Sequence, residues 1–171
     1  KEFLAAGKLC IRENEIHIWC ICWPEMTDFW VNHEYILSGQ ESEQVGRFRF
    51  SEDRMRYIAG KVVVRLLLKR YLDVETIDFS VSERGKPYHK KIAGKQTVDF
   101  NISHSGEFIL AGFAVGMDIG VDVQEMAGCP DYWEIAGNFY TEEEAEDVIK
   151  EGSVLFFQYW AAKEAYVKAL G

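Results

Sequence analysis

"SEDRMRYIAGKVVVRLLLKRY", residues 51–71, is the stretch that decides the fold. Ser51 is a residue type typical of helix N-caps, and Glu52 and Asp53 follow it in the first turn, where the helix dipole favours negative charge. Apolar side chains then recur at the spacing of one helix face, at Met55, Ile58, Ala59, Val62, Val63, Leu66 and Leu67. The pattern predicts one long amphipathic helix, over about residues 51–71.

Strand-like runs lie on both sides of this helix. The run before it, EIHIWCICW, is apolar on both faces and predicts a buried strand. The runs after it are TIDFSVSE, VDFNIS, FILAGFAV and IGVDVQ, with RGKPY as a turn. TEEEAEDVIKEG predicts a helix with Thr141 as its N-cap, and Ser153 is expected to cap the final helical run. This order favours an α+β fold over an alternating parallel sheet, and residues 33–46 carry no clear pattern.

Composition narrows the class of protein. A chain of 171 residues with 48% hydrophobic residues is expected to be globular, as one large domain or two small ones. The net charge of −9 argues against general nucleic-acid binding, and we expect no membrane span and no signal segment. The four cysteines lack zinc-site spacing and are expected to be buried or reduced thiols of a cytoplasmic protein: Cys10, Cys20, Cys22 and Cys129.

Basic residues are concentrated in two stretches despite the net negative charge. One stretch runs from Arg47 to Arg70 and the other from Arg84 to Lys95, whereas acids collect in TEEEAEDVIKE. Basic residues on a helix are most often a solvated face. The asymmetry would also suit a small anionic ligand or an acidic partner.

Two strand ends carry polar side chains that suggest chemistry. In NISHSG, residues 101–106, Ser103, His104 and Ser105 directly follow a predicted strand and would present donors to an anion. A histidine bonded to a turn carbonyl is the plainer interpretation. In GVDVQ, Asp122 and Gln124 share one strand face and would suit a hard cation such as Mg²⁺, although Asp122 capping a neighbouring turn explains it equally well.

The chain ends in WAAKEAYVKALG, residues 160–171, in which Glu164 and Lys168 share one helix face. A Glu four residues before a Lys is commonly a surface ion pair worth roughly 0.3–0.5 kcal/mol. Glu164 would instead supply a third oxygen ligand if the helix lay beside Asp122 and Gln124. Spacing within the helix alone does not separate these two interpretations.

The motifs taken together, and in this order, resemble the 4′-phosphopantetheinyl transferases. In that family a G-K-P turn, an F-N-[IL]-S-H-S-G strand end, a G-[IV]-D-[IV]-E strand and a W-x-x-K-E-[AS]-x-x-K helix follow one another. This chain has RGKPY, FNISHSG, IGVDVQ, FYTEEE and WAAKEAYVKALG, so the resemblance covers about residues 44–171. It is to the larger group, whose single chain folds as two similar halves.

The resemblance implies transfer of 4′-phosphopantetheine from coenzyme A to a serine of an apo acyl or peptidyl carrier protein, with Mg²⁺. The implied metal ligands are Asp122, Gln124 and Glu164. Glu164 would also accept the serine proton, Lys168 would stabilise the departing bisphosphate, and Lys163 would support it. The implied coenzyme A contacts are Arg56, Lys86, Ser103 and His104.

The resemblance also implies an α+β fold of two halves related by a pseudo-twofold axis, residues 1–115 and 116–171, the second incomplete at its C-terminus, in a monomer. The chain departs from the family pattern at Gln124, where relatives carry an acid, and in SGQESEQVG, where relatives often place basic phosphate contacts. Two alternatives remain: a catalytically quiet module that binds carrier protein, and an unrelated nucleotide-binding protein. The second would place His104 and Asp122 far apart.

Overall fold

The structure, a computed structural model, describes residues 7–171. A three-stranded antiparallel sheet has the order β1-β5-β4, with β1 at Ile16–Cys22, β4 at Asp99–Ser105 and β5 at Phe108–Ala114. A small hairpin pairs β2 (Phe79–Val81) with β3 (Pro87–His89). The helices are α1 (Thr27–Asn32), α2 (Gly39–Val45), α3 (Ser51–Leu72), α4 (Tyr132–Phe139), α5 (Glu142–Glu151) and α6 (Ser153–Leu170), and the α+β class is therefore confirmed.

The predicted long helix is α3, and it packs on one face of the sheet. Its apolar side is fully buried at Ile58, Val62, Val63 and Leu67, and burial of each such side chain contributes about 1.5–3 kcal/mol. Gly60 lets the helix approach closely, because a Cβ there would lie 3.3 Å from Ile102 Cδ1 of β4. The main core therefore lies between α3 and the sheet.

Two of the three predicted helix caps need a small correction. The N-cap of α3 is Phe50, without a side-chain hydrogen bond, and Ser51 is the first helical residue. Likewise Gly152, whose φ of 89° suits glycine, precedes α6, and Ser153 lies inside the helix. The Thr141 cap of α5 is confirmed, since its hydroxyl accepts from the backbone N–H of Glu144 in a capping box.

The first strand is less buried than its composition predicts. In β1, Ile16 is 55% exposed and Ile18 is 51% exposed, because β1 is an edge strand and its outer face has little cover. The prediction that β1 is buried on both faces is therefore wrong for the outer face.

The four cysteines are free thiols, and Cys10 and Cys20 are exposed.

The run IGVDVQ is extended but is not a strand of either sheet. It lies along the outer face of β4, where side chains rather than a backbone ladder accept its N–H groups. The bonds run from Val121 N to Asn101 Oδ1 (2.9 Å), from Val123 N to Ser103 Oγ (3.4 Å) and from Glu125 N to Ser105 Oγ (2.9 Å). We call residues 119–125 the outer segment.

Residues 116–171 contain the outer segment and the helices α4, α5 and α6. These helices enclose a satellite core around Ala136, Val148 and Phe156. A pseudo-twofold relation between residues 1–115 and 116–171 stays a prediction, and residues 1–6 of the first half lie outside the described residues. No helix in the described part of the chain is long and apolar enough to cross a membrane.

Candidate active site

A cavity of about 890 Å³ lies beside β4 and reaches from α2 to α6. Residues from both faces of β4 line it, since side chains alternate along a strand and both Ser103 and His104 contribute. Both residues belong to β4, which ends at Ser105, so the turn predicted at 103–105 begins instead at Gly106. The cavity also receives Asp122 and Gln124 from the outer segment and Glu164 and Lys168 from α6.

Asp122 is a buried carboxylate at this cavity with three side-chain partners. Its side chain is 1% exposed, and Lys168 Nζ lies 2.5 Å from its Oδ1. The Ser103 hydroxyl donates to the same oxygen at 2.8 Å, and the Gln124 amide nitrogen donates to Oδ2 at 2.8 Å. A buried carboxylate requires such partners, and here a cation and two neutral donors provide them.

The placement of Lys168 decides between the two interpretations of the closing helix. Its ammonium contacts Asp122 and donates to Ser103 Oγ at 3.0 Å. No ion pair between Glu164 and Lys168 occurs within residues 7–171. A solvated Glu164–Lys168 surface pair is thus the wrong interpretation.

A glycine brings α6 against the outer segment. A Cβ at Gly120 would lie 1.9 Å from the carbonyl oxygen of Ala165 and 2.4 Å from the amide nitrogen of Ala169. Only a residue without a side chain allows this contact between two backbones. Gly120 therefore sets the distance at which Lys168 reaches Asp122.

Three side chains that carry oxygen atoms lie at this end of the cavity. Asp122, Gln124 and Glu164 all line the cavity, and oxygen donors are what Mg²⁺ prefers. In the structure the Asp122 carboxylate is paired with a cation, the Lys168 ammonium. Among the described residues, no group of three or more His, Cys, Asp or Glu side chains is arranged to hold a metal ion, and the third donor at this end is an amide.

His104 and Arg56 also line the cavity. Arg56 is fixed by Asp53 Oδ1 at 2.9 Å from its Nη1 and by the Gly106 carbonyl at 3.0 Å from its Nε. Desolvation in the cavity wall, and next the charge of Arg56, lower the pKa of His104. The imidazole is therefore neutral at pH 7.

Two residues expected at the site lie elsewhere. Lys163 pairs with Glu144 at 2.7 Å and lies over the Tyr140 ring, outside the set of residues that line the cavity. The Lys86 ammonium donates to the Ala169 carbonyl at 2.9 Å, at the C-terminus of α6. Its neighbour Pro87 does line the cavity. The roles assigned to Lys163 and Lys86 stay predictions that this arrangement does not support.

The residues at the α2 end of the cavity were not predicted as site residues from the sequence. Glu41, Lys61 and Arg65 line that end together with Tyr57 and Phe79. One available signal was the Ser38-x-x-Glu41 spacing of a capping box, which the structure contains at the start of α2. No local sequence pattern predicts the pairing of Glu41 with Arg65, because the two residues lie 24 positions apart on different helices.

Known families match this chain over most of its length. Residues 22–114 match the family model described as "4'-phosphopantetheinyl transferase, N-terminal", and residues 118–171 match "4'-phosphopantetheinyl transferase superfamily". The first match alone spans more than half of the chain. The chain therefore belongs to the 4′-phosphopantetheinyl transferases, which confirms the predicted family.

Individual relatives agree with this assignment. The chain is 31% identical over 169 residues to 4'-phosphopantetheinyl transferase HetI of Nostoc sp., covering 95% of this chain and 71% of the relative. It is 33% identical over 141 residues to 4'-phosphopantetheinyl transferase Sfp of Bacillus subtilis, covering 79% of this chain and 60% of the relative. The chain thus spans about three fifths to seven tenths of the length of these two relatives.

A solved structure is also similar. It is the crystal structure of a holo-(acyl-carrier-protein) synthase from Bacillus anthracis in complex with CoA, with a TM-score of 0.44 and 22% identity. The likeness covers 58% of this chain and 93% of that chain.

Proposed function

We propose that this chain transfers the 4′-phosphopantetheine arm of coenzyme A to a serine of an apo acyl or peptidyl carrier protein. The observation that carries the proposal is the buried Asp122 carboxylate, which faces the cavity beside Glu164 and Lys168. A structural carboxylate would not require a cavity in front of it, whereas a group that binds a charged ligand does.

In the proposed reaction the serine oxygen attacks the phosphorus that carries the pantetheine arm. A new oxygen–phosphorus bond forms, and the bond from that phosphorus to the bridging oxygen of the pyrophosphate breaks. Adenosine 3′,5′-bisphosphate leaves with the bonding electrons, and the serine proton passes to the Glu164 carboxylate, directly or through water. Atoms and charge therefore balance without any oxidant or reductant.

Side chains of the cavity would bind the metal ion and the phosphate groups in this reaction. Asp122, Gln124 and Glu164 would hold Mg²⁺, which when bound neutralises pyrophosphate charge. The Lys168 ammonium has three N–H donors and uses two on Ser103 and Asp122, so one is left for a phosphate oxygen. Arg56 and the neutral His104 would donate to further phosphate oxygens.

We also propose a monomer located in the cytoplasm.

The experiment is transfer to a panel of apo carrier proteins in the presence of coenzyme A and Mg²⁺, followed by weighing the products. We expect a mass gain of one phosphopantetheine on at least one carrier. Glu164→Gln is expected to lower kcat by roughly 10²–10⁴-fold, because loss of a general base typically costs that much. Glu146→Gln removes an equal charge from the exposed surface of α5 and is the matched control, expected to act at the parent rate.

Gln124 motivates one alternative, because its amide replaces a carboxylate and now donates to Asp122. A catalytically quiet module would bind carrier proteins without consuming coenzyme A. Carrier binding with no mass gain at any Mg²⁺ concentration would favour that alternative. A Glu164→Gln protein that folds normally and transfers at the parent rate would refute the proposed base.

A further inference from the structure

The Ser103 hydroxyl lies where three elements of the site meet. Ser103 belongs to β4, Asp122 to the outer segment and Lys168 to α6. Its Oγ lies 2.8 Å from Asp122 Oδ1, 3.0 Å from Lys168 Nζ and 3.4 Å from the backbone nitrogen of Val123. Because Ser103 is only 7% exposed, bulk water competes little with these three groups.

The two nitrogen neighbours fix the direction of each hydrogen bond at Ser103. The Lys168 ammonium and the backbone N–H of Val123 can only donate, so both give a proton to the Ser103 oxygen. A hydroxyl oxygen has two lone pairs, and these two bonds use both of them. Its single proton is then donated to Asp122 Oδ1. The hydroxyl thus has neither a donor nor an acceptor left for a ligand.

This arrangement leaves no Ser103 proton for a phosphate oxygen. The coenzyme A contact that the family resemblance implies for Ser103 would need the proton that Asp122 receives. Breaking that bond would remove one of three side-chain partners from a carboxylate that is 1% exposed. Such a loss is costly, because hydrogen bonds to charged groups are stronger than bonds between neutral groups. The implied contact stays a prediction that this arrangement does not support.

The same bonds give Ser103 a different role, which is to orient the Lys168 ammonium. Lys168 donates to two acceptors on two different elements, Ser103 Oγ on β4 and Asp122 Oδ1 on the outer segment. Two fixed N–H bonds of a tetrahedral ammonium also fix the direction of the third. Without the Ser103 hydroxyl, the ammonium would be free to rotate about its contact with Asp122.

We propose that Ser103 is a positioning residue, which acts on the reaction through Lys168 and does not itself bind coenzyme A. This inference rests on the proposed function, in which the third N–H of Lys168 donates to a phosphate oxygen. Side chains in one buried hydrogen-bond network depend on one another, so their effects are not independent. Loss of the Ser103 hydroxyl should therefore affect catalysis only while Lys168 is present.

The test is a double-mutant cycle that combines Ser103→Ala and Lys168→Met in the full chain. We expect Ser103→Ala to lower kcat for carrier transfer about tenfold in the parent protein, but less than about twofold in the Lys168→Met protein. Calorimetric titration with coenzyme A measures binding at the same four corners and does not require turnover. Adding Ser103→Ala to Lys168→Met should change the Kd for coenzyme A by less than about twofold.

Ser105→Ala is the matched control. The Ser105 hydroxyl also accepts a backbone N–H of the outer segment, from Glu125 at 2.9 Å, but Ser105 is not among the residues that line the cavity. Both serine variants should lower the midpoint of urea unfolding, because each removes the acceptor of a backbone N–H. Only Ser103→Ala should lower kcat. If Ser103→Ala does not fold, Ser103→Cys completes the cycle, since a thiol is a weak donor and a weak acceptor of similar shape.

Equal factors for Ser103→Ala with and without Lys168, in kcat or in Kd, would mean that Ser103 contacts the substrate directly, and would overturn the inference. A folded Ser103→Ala protein with parental kcat would overturn it too, as would an equal loss of kcat in Ser105→Ala. In each of these cases transfer by the parent protein leaves the proposed function standing. If the parent neither binds nor consumes coenzyme A, the inference and the proposed function fail together.

Discussion

His104 shows how one side chain would combine the proposed binding role with a cost in stability. The cavity wall desolvates the imidazole and Arg56 repels its charged form, and both effects lower its pKa. In the proposed function, the neutral ring is the form that would donate to phosphate without adding a second positive charge beside Arg56. The same environment penalises the protein whenever the ring must accept a proton.

The pH dependence of stability follows from that shift. The folded-state pKa of His104 lies below the ordinary value of 6.5, so between these two pKa values the unfolded chain binds more protons. The free energy of unfolding therefore falls as pH decreases from 6.5 toward the folded-state pKa. His104→Gln removes this contribution, and we expect urea unfolding at pH 7.5 and pH 5.5 to show a smaller loss for the variant than for the parent.

The parent protein, unfolded with urea at the same two pH values, is the reference for this comparison. Equal losses for His104→Gln and the parent would contradict the assigned shift.

Among the elements, the helices differ in how plainly the sequence specifies them. The apolar spacing of α3 and the Thr141 capping box of α5 are local patterns, and both helices form where those patterns predict them. The outer segment alternates as a strand does, yet its N–H groups bond to side chains of β4. Periodicity indicates which face of a segment is buried, but it does not indicate which atoms accept the hydrogen bonds of its N–H groups. For this reason the prediction of a strand for the outer segment was wrong.

The short helix α2 depends on its capping box more than a long helix would. It has seven residues, and isolated helices of that length are marginal. Ser38→Ala should lower the free energy of unfolding by about 0.5–2 kcal/mol, the usual cost of losing such a cap. Since Ser38 also lines the cavity and positions Glu41, we expect the KM for coenzyme A to change as well.

Thr141→Ala is the matched control, because it removes the same type of cap from α5 away from the cavity. Chemical denaturation should show a similar loss of stability in both variants, and steady-state kinetics should show a changed KM only for Ser38→Ala. A normal KM in the Ser38 variant would mean that α2 does not shape the site.

At the scale of the whole molecule, the site is assembled from parts that no local pattern connects. Asp122, Ser103 and Lys168 meet although the last two lie 65 residues apart. Helix geometry places Glu164 and Lys168 on one face, whereas Lys163 lies about 100° around the axis and faces Glu144 instead. Glu164 and Lys168 line the cavity, whereas the packing of α6 leaves Lys163 outside the residues that line it. The roles that the family resemblance implies for these three residues stay predictions.

The packing of α6 against the outer segment can be tested at Gly120, without replacing a charged residue. Gly120→Ala would place a methyl group 1.9 Å from the Ala165 carbonyl oxygen, so α6 and the outer segment must separate. The two nearest atoms, the Ala165 carbonyl oxygen and the Ala169 amide nitrogen, both belong to the backbone of α6. No side-chain rotation therefore relieves the clash. We expect loss of stability of about 1–3 kcal/mol, the usual cost of overpacking, and loss of transfer activity as Lys168 and Glu164 withdraw from Asp122.

Gly128→Ala is the control, since a Cβ there meets nothing within 4 Å and the variant should retain the stability and activity of the parent. Thermal unfolding and the carrier-transfer assay measure the two effects separately. Stability alone would fall if Gly120 served only the packing of α6. A Gly120→Ala protein with parental kcat would show that the distance between α6 and the outer segment does not control the reaction, and that Asp122 works without Lys168 and Glu164 beside it.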